Sequence, residues 1–258
     1  MAILNVHRFG TSDDIPVVCI HGVTGHGRRW RRIAEETLAD RRVLAVDLRG
    51  HGRSGWEPPW RIEDHVADIL ETMDAEGAST FQLVGHSFGG LIASQVLATS
   101  PTRVERLALV DPAIAIAPSL ALSSAEDQRT PPRWASVEEA KAARREGRTP
   151  AGYAGSDEDV DDHLMEHPDG LGFRFCVSAA VTAWGEMARP PAELGGIDTD
   201  VLLLSAVQAP YVTDATRRWL RGDLGNRFRE VAIDSTHMLY WDAFEETSAP
   251  LGAFLKRA

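Results

Sequence analysis

The apolar run Phe81–Val84 leads directly into Gly85-His86-Ser87-Phe88-Gly89-Gly90, and Leu91, Ile92, Val96 and Leu97 then recur at helical spacing. This predicts a strand, a glycine-bounded turn and a helix in immediate succession. So abrupt a reversal leaves the backbone few options. The corner residue, Ser87, is driven into strained angles, and the glycines two positions to either side let strand and helix approach each other. The serine hydroxyl is then held above a sheet edge, over a helix N-terminus. Its free N–H groups, that of Phe88 first, favour a developing negative charge. The five-residue pattern G-x-S-x-G alone arises by chance in many chains. The strand before it and the helix after it give it weight.

The same alternation continues along the chain. Val17–Ile20, Val43–Val46, Leu107–Val110, Val201–Leu204 and Phe228–Ile233 read as further strands. Such continuous apolar strands are expected in a mostly parallel central sheet flanked by helices on both faces, an α/β architecture. Between them, Ile62, Val66, Ile69, Leu70 and Met73 form one apolar helix face. Trp241, Phe244, Leu251, Phe254 and Leu255 mark a final helix, which Pro250 is expected to bend or break.

Residues 112–195 break the rhythm. They offer no convincing strand, several prolines (Pro118, Pro131, Pro132, Pro150, Pro168), an alanine- and arginine-rich helix at Val137–Glu146 and a more apolar one at Phe173–Met187. The expectation is a sheet domain made of residues 1–111 and 196–258, with 112–195 inserted as a helical lid. The acidic stretch Asp157–Asp162 lacks the ligand alternation of a calcium loop and reads as the start of a helix. Arg28, Arg29, Arg31 and Arg32 read as the solvated face of a helix, with Trp30 and Ile33 turned inward.

The formal charge of −11 argues against nucleic acid or an anionic membrane as partner. No apolar run is long enough to span a bilayer and the first residues form no basic-then-apolar leader, so a cytoplasmic protein is the default expectation. Two cysteines, Cys19 and Cys176, exclude a disulfide framework or a cysteine-based zinc site, and no metal or cofactor is called for.

With these motifs assembled, the chain resembles the α/β-hydrolase superfamily from about Val17 to the C-terminus, in the branch with a helical cap after the sixth strand of that fold. His21-Gly22-Val23-Thr24-Gly25 resembles the loop that supplies a second oxyanion N–H, here from Val23. Asp47-Leu48-Arg49-Gly50-His51-Gly52-Arg53-Ser54 resembles the family's D-x-R-G-x-G-x-S turn. Thr236-His237-Met238 resembles the loop bearing the catalytic histidine.

A serine hydroxyl needs a base, and imidazole titrates near neutrality. Of nine histidines, His237 alone has the family's position in chain order. His21 and His51 belong to turns and orient backbone, and His86 points away from its neighbour in an elbow. His7, His65, His163 and His167 have no such context, while His26 lies in the oxyanion loop and is a candidate pocket residue. The third member departs from the usual pattern. Where an acid is expected after Val201–Leu204, the loop reads Ser205-Ala206-Val207-Gln208-Ala209-Pro210-Tyr211. Some relatives carry the acid after the preceding strand, and Asp111 holds that place. Asp111 either orients His237 or opens an Asp-Pro turn, and Asp214 is the reserve candidate.

The resemblance implies a serine hydrolase that cleaves a carboxylic ester through an acyl-enzyme on Ser87, acting on a small-molecule substrate. Peroxidase, lyase and carbon–carbon hydrolase chemistry use the same parts, and a non-catalytic ligand-binding member is a further alternative. Trp134, Phe173 and Trp184 of the lid are candidate pocket residues, although packing within the lid accounts for them equally well. Oligomeric state is unreadable from sequence.

Overall fold

A computed structural model describes residues 2–256. The core begins with β1 (Val6–Phe9), β2 (Val17–Ile20), β3 (Val43–Val46), α1 (Ile62–Ala75), β4 (Phe81–His86), α2 (Phe88–Thr99) and β5 (Val104–Val110). The intervening segment holds α3 (Pro118–Gln128), α4 (Val137–Arg145), α5 (Tyr153–His163), the hairpin β6 (Leu164–His167) and β7 (Gly170–Phe173), and α6 (Val177–Met187). The chain closes with β8 (Asp200–Ala206), α7 (Asp214–Leu224), β9 (Phe228–Ile233), α8 (Leu239–Asp242) and α9 (Phe244–Leu255).

Seven strands pair in the order β1-β3-β2-β4-β5-β8-β9. Only β1 runs antiparallel, and every other pair is parallel. Side-chain alternation splits the strands between two cores. Val18, Ile20, Leu44, Val46 and Leu83 pack with α1, α2 and α7, while Val17, Cys19, Val43, Ala45 and Val84 pack with Trp30, Ile33 and α9. Because both faces are covered, β2, β3 and β4 are buried end to end.

The structure departs from the sequence reading in four places. First, β1 precedes the first expected strand. Its partly exposed edge position suits Val6-His7-Arg8-Phe9, which does not form a continuous apolar run. Second, the inserted segment is not purely helical. β6 and β7 pair antiparallel across Pro168-Asp169, and Leu171 exchanges two backbone hydrogen bonds with Trp134. Four-residue strands with glycines at positions 170 and 172 carry too little apolar signal to stand out. Third, α9 runs through Pro250, and the break falls at Ala243, whose backbone (φ −144°, ψ 63°) separates α8 from α9. Fourth, Asp157–Asp162 occupy the middle and end of α5 rather than its start. Their charges are met by arginines and a lysine, so proximity to a helix N-terminus is not what stabilises them.

Two histidines buried in the core bear on acid stability. Burial pushes His51 down to about 4 and His65 to about 3. Unfolded, both imidazoles take up a proton near pH 6.5. Between those values the unfolded chain binds more protons, so stability falls as pH drops through the window. His51 alone is expected to cost on the order of 3 kcal/mol by pH 4. Urea midpoints measured from pH 7 to 4 should fall steadily, and the fall should be smaller in His65→Phe. A flat profile would contradict the assignment of these imidazoles as neutral.

Candidate active site

Ser87 sits between β4 and α2 with φ 55° and ψ −121°, a strained conformation for a residue with a Cβ. The flanking glycines have steric causes. A Cβ on Gly85 would lie 2.3 Å from the carbonyl oxygen of Gly89, and one on Gly89 would lie 2.3 Å from that of Ile20. Gly22 faces the serine itself, and a Cβ there would approach Ser87 Cβ to 2.8 Å. That close approach brings the Val23 backbone beside the elbow. Among the described residues neither the Val23 N–H nor the Phe88 N–H is taken up by a hydrogen bond. Thr24, at φ 61°, anchors the loop: its carbonyl accepts from Arg29 Nη2 at 3.2 Å and from His163 Nε2 at 3.1 Å.

His237 follows β9, and its Nδ1–H donates to Asp111 Oδ2 at 2.5 Å. Asp111 is fully buried at the end of β5, in a left-handed conformation (φ 40°). Its own N–H donates to the Leu204 carbonyl, and its Oδ1 accepts the Ala206 N–H at 3.0 Å. One carboxylate therefore ties the edge of β8 to the histidine loop and leaves His237 Nε2 free for another partner. Asp214 lies on the surface at the start of α7 and pairs with Arg217.

His86 also braces His237. Burial holds its imidazole well below the usual histidine range, and its Nε2–H donates to the His237 carbonyl at 2.9 Å. His21 bridges two turns, donating Nδ1–H to the Gly22 carbonyl and accepting the Leu48 N–H at Nε2.

Ser87, His237 and Val23 open onto one cavity of about 180 Å³. Trp184 joins them, as do four residues that sequence reading did not single out: Tyr211, Arg144, Arg148 and Met238. The Tyr211 ring lies 4.3 Å from that of His237. The other sequence candidates lie elsewhere. Trp134 and Phe173 pack edge to face at 5.2 Å in a small core of the inserted segment. His26 stacks on His163 at 4.4 Å and faces a separate cleft walled by arginines and carboxylates.

Arg29 is buried, against the reading of its neighbourhood as a solvated face. Its guanidinium, Arg144 and His26 converge on Asp159 of α5, at 2.5, 2.9 and 3.1 Å. Arg28 and Arg31 reach Asp162 from the same side. This cluster ties α5 to α4 and to the segment that follows β2. Asp159→Asn would leave two guanidiniums without a counter-charge and is expected to lower stability by about 3–5 kcal/mol, readable by urea unfolding. A loss under about 1 kcal/mol would mean that the carboxylate does not hold this cluster together.

Residues 15–145 match the family model described as alpha/beta hydrolase fold, and the chain belongs to that family. Among curated proteins it is 36% identical to Lipase LipV of Mycobacterium tuberculosis, across 92% of this chain and 91% of that one. It is 29% identical to Esterase YbfF of Escherichia coli over 37% of this chain and 38% of that protein. Solved structures of like fold include a marine microorganism esterase (TM-score 0.79, 19% identity, 99% of this chain and 100% of that one). Another is E-2-(acetamidomethylene)succinate hydrolase (TM-score 0.83, 19% identity, 98% and 94%). No helix among the described residues is long and apolar enough to cross a membrane.

Proposed function

We propose that the protein hydrolyses a carboxylic ester through an acyl-enzyme on Ser87, with His237 as general base and Asp111 as the carboxylate behind it. The observation that carries this reading is the 2.5 Å contact of His237 Nδ1 with Asp111, on a histidine that shares a cavity with a strained serine. Asp111 fixes the tautomer in which Nε2 is unprotonated, so Nε2 can take the serine proton as Ser87 Oγ attacks the ester carbonyl. The Val23 and Phe88 N–H groups receive the oxyanion, and the resulting imidazolium is stabilised by Asp111. His237 then protonates the leaving alcohol, and in the second half-reaction it activates water against the acyl-serine. Residues 112–195 act as a cap that closes the cavity through Trp184, Arg144 and Arg148. The lipase and esterase names of the two curated relatives support an ester as the bond.

The cavity is smaller than the roughly 300–1,000 Å³ of pockets for drug-sized ligands, which favours short acyl chains. Rates on 4-nitrophenyl acetate, butyrate and laurate should show turnover of the first two, with a burst of about one nitrophenolate per chain if deacylation limits. No turnover of any of the three would count against the reading.

A further inference from the structure

The wall of the Ser87 cavity contains three arginines and no carboxylate: Arg29, Arg144 of α4 and Arg148 of the loop that follows α4. The chain as a whole carries a formal charge of −11, so this wall reverses the sign of the molecule at one place. The carboxylates that serve these arginines sit behind them. Arg29 and Arg144 share Asp159, and Arg148 Nη1 pairs with Asp242 at 3.1 Å. Asp111 is buried against His237 and offers nothing to the arginines. All three guanidiniums crowd the Trp241 ring, with centres 5.6, 5.4 and 5.3 Å from its centroid. Burial, opposed by Asp159 and reinforced by the charges of Arg29 and Arg148, pushes the Arg144 guanidinium below its usual value.

Arg148 is the one with unused donor capacity: its Nη1 meets Asp242 and, at 3.4 Å, Thr236 Oγ1. Its Nε is buried and has no hydrogen-bond partner among the described residues. A buried charged donor without a partner is costly, and the flat guanidinium fork fits a carboxylate. The acyl part of an ester stays in the cavity through both half-reactions, whereas the alcohol departs after the first. The acyl part is therefore the one the wall can hold throughout.

We infer that the substrate's acyl chain ends in a carboxylate, that the arginine wall recognises it, and that Arg148 sets the preference. The substrate class is thus a half-ester of a short dicarboxylic acid. This rests on the reading of Ser87 as the nucleophile, so the test has one arm that needs turnover and one that does not.

In the first arm, kcat/KM is compared for 4-nitrophenyl hemisuccinate and 4-nitrophenyl butyrate, which match in chain length and differ in the terminal charge. The protein should favour the hemisuccinate by about tenfold or more. That ratio should collapse toward one in Arg148→Gln and be partly restored in Arg148→Lys. Equal kcat/KM for the two esters in the unaltered protein would overturn the inference and leave ester hydrolysis standing. In the second arm, Ser87→Ala is titrated calorimetrically with monomethyl succinate and with methyl butyrate. The charged half-ester should bind at least about tenfold tighter, and the advantage should vanish when Arg148→Gln is added. Equal affinities would overturn the inference whatever the turnover. If the half-ester binds as expected but neither nitrophenyl ester is hydrolysed, the carboxylate site stands and the hydrolytic reading falls.

Discussion

Changing Asp111 to asparagine is expected to lower kcat by about 10⁴-fold while Ser87 and the oxyanion N–H groups stay in place. The cause is the tautomer. Asp111 Oδ2 accepts the His237 Nδ1–H, and an amide Nδ2 turned toward the ring would donate to Nδ1 instead, moving the proton to Nε2. A protonated Nε2 cannot take the serine proton. Burial sharpens the effect, since no water replaces a carboxylate that is fully enclosed beneath the histidine loop. Asp111 also accepts the Ala206 N–H through Oδ1, so part of any stability loss reflects that bond. The readout is therefore kcat on a folded variant, checked by an unchanged near-ultraviolet circular dichroism spectrum. Asp214→Asn should stay near wild type, because Asp214 is exposed and pairs with Arg217. Activity of Asp111→Asn within about tenfold of wild type would remove Asp111 from the mechanism.

Ser87→Ala is expected to have the largest effect on turnover, about 10⁶-fold in kcat, because it deletes the attacking atom and leaves only binding and the oxyanion donors. Stability should change little or rise slightly. The φ of 55° remains unfavourable with alanine. A variant that folds, binds ester and fails to turn it over would separate chemistry from structure. Substantial residual burst kinetics would identify a different nucleophile.

Most of the sheet is legible in the sequence because β2, β3, β4 and β8 contain short apolar runs that end at a histidine-glycine pair, an aspartate, a glycine or a serine. Period-2 apolar patterns say little about edges, which is why β1 was invisible: Val6–Phe9 is only partly buried and polar at its centre. The inserted segment was the hardest to read. Its stability comes from pairings far apart in sequence, such as Arg29 with Asp159, and local pattern carries no signal for a contact between residues 130 positions apart. The acidic run at 157–162 invites a local explanation, but its partners Arg29, Arg31, Lys141 and Arg145 lie on other elements.

Near Ser87, the sequence marks the residues that chemistry makes conspicuous. The lack of any acid in Ser205–Tyr211 pointed to Asp111, and the structure brings that residue to His237. The lining is not legible. Tyr211 lies in the loop that lacks a carboxylate, and Arg144 and Arg148, within and just beyond an arginine-rich helix, carry no local mark of facing a cavity. Nothing in a sequence distinguishes an arginine that faces water from one that faces a cavity.

If Ser87 becomes covalently acylated with His237 as its base, a serine-directed reagent must find it. The most direct test is intact-mass spectrometry after reaction with a fluorophosphonate, which traps an activated serine, followed by mapping of the labelled peptide. One adduct per chain is expected, located on the peptide containing Ser87, abolished in Ser87→Ala and strongly slowed in His237→Ala. No adduct on the folded protein, or an adduct on a residue other than Ser87, would contradict this role for Ser87.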